Sequence, residues 1–132
     1  MSNQVESFKV LTTLSAYRVV SCVSGSANVV QYPEAAQNAF IGVTIDTVRE
    51  TNTSIPVAIS GRAKLLFNDT VTAGQLVGSD TSGRGVPFTL PNTTTSVSLA
   101  GQYVGVLLGA TVAATNTIAE ILVRPGYVRT SV

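Results

Sequence analysis

The stretch Phe40-Ile41-Gly42-Val43 returns later in the chain as Tyr103-Val104-Gly105-Val106, and Thr51-Asn52-Thr53 returns as Thr115-Asn116-Thr117. After each comes an apolar run that reaches a glycine: Ile55-Pro56-Val57-Ala58-Ile59-Ser60-Gly61, then Ala119-Glu120-Ile121-Leu122-Val123-Arg124-Pro125-Gly126. Upstream, Arg18-Val19-Val20 through Gly25 to Val29 is matched by Gln75-Leu76-Val77 through Gly83 to Val86. The chain reads as two copies of one strand-turn-strand unit, about 15–67 and 72–128, inside a single β domain spanning 15–132. Two copies are too few for a solenoid, which needs about three to bury its faces, so they are expected to pack on one another around one core. In aromatic-x-Gly-Val the aromatic side chain covers the core while glycine lets another backbone approach closely. Gly61 and Gly126 are each expected to close a strand at a turn, and Gly42 with Gly105, like Gly61 with Gly126, to occupy equivalent places.

Around these anchors, short runs rich in β-branched residues are bounded by Gly, Pro, Asn, Asp or Ser, the pattern of strands joined by turns. Strands are expected near Tyr17–Val23, Ala27–Tyr32, Phe40–Thr47, Ile55–Ser60, Ala63–Phe67, Gln75–Ser79, Gly85–Phe88, Ser96–Ala100, Tyr103–Leu108 and Ala119–Val123. Ser24-Gly25-Ser26 and Asp80-Thr81-Ser82-Gly83 supply hairpin turns, with glycine where positive φ is needed. Pro33 to Ala39 could form a helical turn and nothing longer. The fold class is therefore all-β, a compact β-sandwich or small β-barrel built from two similar halves.

Composition narrows the function. Of 132 residues, 45% are hydrophobic and only 11% charged, against roughly a quarter charged in an ordinary soluble domain, so neutral polar residues and partner surfaces must cover the exterior. The net charge is +1, and Lys9, Arg18, Arg49, Arg62, Lys64, Arg84, Arg124 and Arg129 are scattered along the chain. Affinity for nucleic acid rests on several cations gathered on one face, so no nucleic-acid partner is expected. Cys22 is the single cysteine, which excludes an intrachain disulfide, and it reads as a small buried hydrophobe. The N-terminus has no signal-peptide pattern and no apolar run approaches the ~20 residues of a spanning helix, so neither export nor a membrane is expected.

Histidine is absent, which removes Ser-His-Asp and Cys-His catalysis and the commonest transition-metal ligand together. With one Cys, a zinc site would have to be built from carboxylates alone. Asp46 with Glu50, and Asp69 with Asp80, are the nearest carboxylate pairs, but Asp69 and Asp80 sit in turn contexts where Asp bonds local amides. Gly83-Arg84-Gly85 lacks the Gly-Lys-Ser/Thr and following helix of a phosphate loop. Asn52-Thr53-Ser54, Asn68-Asp69-Thr70 and Asn92-Thr93-Thr94 match the glycosylation pattern but read as polar loop residues. No catalytic residue, cofactor or metal is expected.

Val71-Thr72-Ala73-Gly74-Gln75-Leu76-Val77-Gly78-Ser79-Asp80, Gly83-Arg84-Gly85-Val86-Pro87, Tyr103-Val104-Gly105-Val106-Leu107-Leu108 and Ile121-Leu122-Val123-Arg124-Pro125-Gly126, in that order, resemble the capsid cement proteins of tailed bacteriophages. The resemblance runs from about Tyr17 to Gly126, and Gly105 to Gly126 is more loosely similar to the closing strands of lambda-type head decoration proteins. It implies a non-enzymatic β protein, made in the host bacterial cytoplasm, that binds the major capsid protein on the outer surface of the virion, commonly as a homotrimer. The alternatives are another virion or tail component, or a carbohydrate-binding β module. The last usually presents exposed aromatics, whereas Tyr17, Tyr32 and Tyr103 fall in expected strands and only Tyr127 lies outside them.

Residues Met1 to Ala16 and Pro91 to Ser96 have no counterpart in that family, and two stretches within them are the candidate contacts with the capsid or a neighbouring subunit. One is the N-terminal segment 1–14, which carries Val5, Phe8, Val10, Leu11 and Leu14. The other is the polar loop from Pro91 to Ser96, with Asn92, Thr93, Thr94 and Thr95. An aromatic anchor such as Phe8 can supply a large share of a binding energy. The other reading of Phe8 to Leu14 is the first strand of the core, and composition does not separate the two.

Overall fold

The computed structural model describes residues 4–10, 12–23, 28–33, 40–47, 53–88, 102–109, 111–112 and 116–127. The expected strand Ser96–Ala100, the turn at 24–26 and the helical piece at 34–39 lie outside them. The described residues form nine strands: β1 (Gln4–Val10), β2 (Val19–Cys22), β3 (Val29–Gln31), β4 (Phe40–Thr44), β5 (Thr53–Phe67), β6 (Leu76–Ser79), β7 (Gly85–Pro87), β8 (Gln102–Leu107) and β9 (Thr117–Tyr127). Among the described residues there is no helix, and the protein is all-β.

The strands close into barrel rings rather than stacking as a sandwich. In the first ring the order is β1-β3-β2-β4-β5, closed by β1 pairing with the N-terminal part of β5. In the second it is β5-β7-β6-β8-β9, closed by the C-terminal part of β5 pairing with β9. Each ring has one parallel contact, β1 with β3 and β5 with β7, and antiparallel contacts elsewhere. Closure leaves the central strands without a free edge.

The registers of the two rings correspond residue by residue. Val10 faces Thr53 and Val30 in the first ring; Phe67 faces Thr117 and Gly85 in the second. Val20 faces Gly42, and Val77 faces Gly105. A Cβ added at Gly42 would strike the backbone carbonyl of Ala58, and one at Gly105 the carbonyl of Leu122, so both glycines serve the same close approach of two strands. Off the strand ends, the Ile45 amide donates to the Pro56 carbonyl (3.3 Å) as the Leu108 amide donates to Glu120 (3.0 Å).

Two features depart from the sequence expectation. Residues 55–60 and 63–67 are not separate strands but one strand, β5, whose neighbours change from β1 to β9 at Gly61. The rings thus divide inside β5 and not at 67–72, and β1 belongs to the first. Gly61, at φ 89°, therefore closes no strand, and neither does Gly126, which lies within β9 opposite Tyr103. Gly61 marks the crossover between rings, and these two glycines are not equivalent.

Two buried clusters fill the fold. Val10, Leu14, Val20, Val30, Ile55 and Val57 form one, with Phe8, Tyr32, Ile41 and Ile59 packed against it. The other joins the interior of the second ring, including Leu65, Phe67, Val77, Leu107 and Ile121, to Val19, Phe40, Val43 and Ala58 of the first. Alternation along β5 separates inside from outside, with Ile55, Val57, Ala63, Leu65 and Phe67 buried and Ser54, Arg62 and Lys64 exposed, and the change of neighbours at Gly61 separates the clusters.

A short strap locks the rings together. The Leu66 amide donates to the Tyr17 carbonyl (2.9 Å) and the Val19 amide to Gly83 (2.7 Å), so the start of β2 is wedged between β5 and the turn before β7. In the first ring the corresponding amide, that of Lys9, bonds Asn28 directly (2.8 Å). Asn28 (φ 60°) and Gly83 (φ 78°) occupy the same left-handed place. The fully buried Thr44 hydroxyl holds the strap from the other side, accepting from the Arg18 amide (3.1 Å) and donating to the Ser15 carbonyl (2.7 Å).

Candidate contact surfaces

The residues proposed from sequence as contacts fall into three groups. Val10 and Leu14 are buried in the first-ring cluster and Phe8 packs half-buried against it. Their apolar character is thus accounted for by packing within the chain. Val5 is exposed, on the outer side of β1 with Ser7 and Lys9. Leu11, Asn92, Thr93, Thr94 and Thr95 lie outside the described residues. Cys22 is half-buried at the end of β2.

Asp46, Asp69 and Asp80 are engaged in local structure. Asp80 Oδ1 accepts from the amides of Ser82 and Arg84, both at 2.9 Å, and Oδ2 from Asn68 Nδ2 (3.1 Å) and Arg84 Nε (3.2 Å), which shapes the β6–β7 hairpin. Asp46 and Asp69 each accept from the following backbone amide, at 3.0 and 2.7 Å. Glu50 lies outside the described residues. A groove of about 190 Å³ is lined by Gln75, Leu76, Pro87 and Phe88. It is smaller than the ~300 Å³ at which ligand pockets begin, and the Phe88 ring is already met edge-on by Tyr103 (5.8 Å).

Among the described residues, the exposed large apolar side chains are Val5 (42%), Ile45 (39%), Leu108 (42%) and Ile118 (49%). Leu108 and Ile118 belong to one surface, the outer face of the second ring, where Leu66 is the partner of Ile118, Lys64 of Glu120 and Arg62 of Leu122. Arg124 continues that face along β9. Arg62 Nη1 lies 3.2 Å from Glu120 Oε1. Cations scattered in sequence are thereby gathered: among the described residues, Arg62, Lys64 and Arg124 share one face with a single carboxylate, Glu120. The sequence signal was the alternation Arg62-x-Lys64, but its meeting with Arg124 depends on the β5–β9 register.

The chain matches no protein-family model, and no curated protein matches it in sequence. Its fold is similar to that of the N base of head fiber gp8.5 in bacteriophage phi29, with a TM-score of 0.63 over 93% of this chain and 95% of that one. The sequences are 10% identical over this match, so what is shared is the fold.

Proposed function

We infer that this chain is a structural protein of a phage head, a decoration or cement protein that binds the major capsid protein on the outer surface of the shell and stabilises it. The observation that carries this reading is the likeness to a phage head fiber base across nearly the full length of both chains. The order of Gly-Val and turn motifs that resembles the cement proteins supports it independently. The role is read as non-enzymatic: the chain has no histidine, and Asp46, Asp69 and Asp80 accept from local backbone amides. The working form is a homotrimer held by neutral polar and apolar contacts, since 11% charged residues leave few ion pairs to organise an interface.

The test is co-sedimentation of the purified protein with purified head shells lacking it, followed by electron microscopy of the particles. Saturable binding with regular density outside the shell is expected, together with increased resistance of the shell to heat. Absence of the protein from shells at every input ratio overturns the reading. Light scattering of the free protein tests the trimer, whose association should vary little between low and high salt.

A further inference from the structure

The two rings share one pairing pattern, so differences at corresponding outer positions are not demanded by the fold. On the first ring those positions are Val5, Ser7 and Lys9 of β1 and Ser54 and Pro56 of β5, of which Lys9 alone is charged. On the second they are Arg62, Lys64 and Leu66 of β5 and Ile118 and Glu120 of β9. The same scaffold therefore carries one cation, Lys9, at these positions on the first ring, where the second carries two, Arg62 and Lys64, with Glu120 between them. Arg124 adds a third cation beside them, and Leu108 and Ile118 add apolar area.

We propose that this outer face of β5, β9 and β8 is a docking surface for a protein that presents carboxylates around an apolar patch. Three cations against one carboxylate set the sign of the partner. Leu108 and Ile118 are the side chains a partner would desolvate, with Arg62, Lys64 and Arg124 as the charged rim. Glu120 stands in the middle of the cations, within 3.2 Å of Arg62, and would repel a run of phosphates; this favours a protein over nucleic acid. Under the proposed function, on which this inference rests, the partner surface is the outside of the capsid shell.

The experiment compares shell binding by the unaltered chain, by the double variant Lys64→Glu/Arg124→Glu, by Ile118→Ser, and by Lys9→Glu, which alters an exposed cation on the first ring. Thermal melting confirms that each is folded, and Lys64→Arg/Arg124→Lys keeps the charge while changing the side chains. The double reversal is expected to weaken binding about tenfold or more and to remove its salt sensitivity. Ile118→Ser should weaken it several-fold, and Lys9→Glu and the charge-conserving variant should bind like the unaltered chain. Equal binding by the reversal variant overturns the docking face and leaves the proposed function standing. Failure of the unaltered chain to bind shells overturns both. Displacement of the shell-bound protein by duplex DNA at low salt would overturn the choice of a protein partner.

Discussion

Phe67 fills the space that a side chain at Gly85 would need: a Cβ there would lie 2.7 Å from Phe67 Cδ2 and 2.9 Å from Leu65 Cδ2. In the first ring the corresponding pair is Val10 and Val30. One ring thus uses two medium side chains where the other uses a large one against none, two solutions to filling the same space at interior density.

That relation predicts a rescue. Phe67→Val should cost roughly 2–4 kcal/mol by leaving a cavity, and Gly85→Val about 1–3 kcal/mol or more by overpacking. The double variant, which copies the Val10/Val30 arrangement, should be more stable than the sum of the two by at least about 1 kcal/mol. Urea denaturation of the four proteins measures this coupling, and simple additivity would contradict it.

Gly42→Ala and Gly105→Ala should each destabilise by more than about 2 kcal/mol, because the new methyl meets a backbone carbonyl that cannot turn aside as a side chain could. Gly74→Ala is the comparison. Nothing lies within 4 Å of its Cβ position, and only its φ of 87° opposes the change, so a loss of about 1 kcal/mol is expected. Melting temperatures in the order Gly74→Ala above the other two check the prediction.

Asp80→Ala removes an acceptor that serves two amides, an amide side chain and a guanidinium. A loss of about 1–3 kcal/mol is expected. Hydrogen exchange should accelerate first at the Ser82 and Arg84 amides, whereas unchanged protection there would show that the hairpin does not depend on the carboxylate.

Thr44→Val keeps the shape of a fully buried residue while deleting the hydroxyl that fixes the strap. The Arg18 amide loses one acceptor and the Ser15 carbonyl a donor, so about 1–3 kcal/mol should be lost. Because the strap joins the rings, the loss should appear as a lower single transition rather than as separate melting of one ring.

Much of the architecture was legible before the structure. Arg18-Val19-Val20 and Gln75-Leu76-Val77 hold corresponding registers, as do Thr53 with Thr117 and Gly42 with Gly105, because glycine at a close backbone approach and alternating apolar residues are local demands. The continuity of β5 was not legible. Ser60-Gly61-Arg62 has the composition of a turn, yet the chain stays extended because β1 holds one side of it and β9 the other. β1 was ambiguous for the same reason: Phe8 and Val10 suit an anchor as well as a core strand, and only pairing with β5 distinguishes them. The cationic face showed in the sequence only as the alternation Arg62-x-Lys64, since their meeting with Arg124 is a property of register.

β5 also determines how the molecule meets mechanical load. Its Thr53–Ser60 portion is gripped by β1 and β4 and its Gly61–Phe67 portion by β9, with hydrogen bonds running across the strand. A pull that separates the rings along this strand runs through covalent backbone and must shear whole ladders at once, whereas a pull on β3 or β7 meets only one to three paired residues at a time. Stretched along β5, the fold should behave as a stiff tie; peeled at β3 or β7, it should open like a zip.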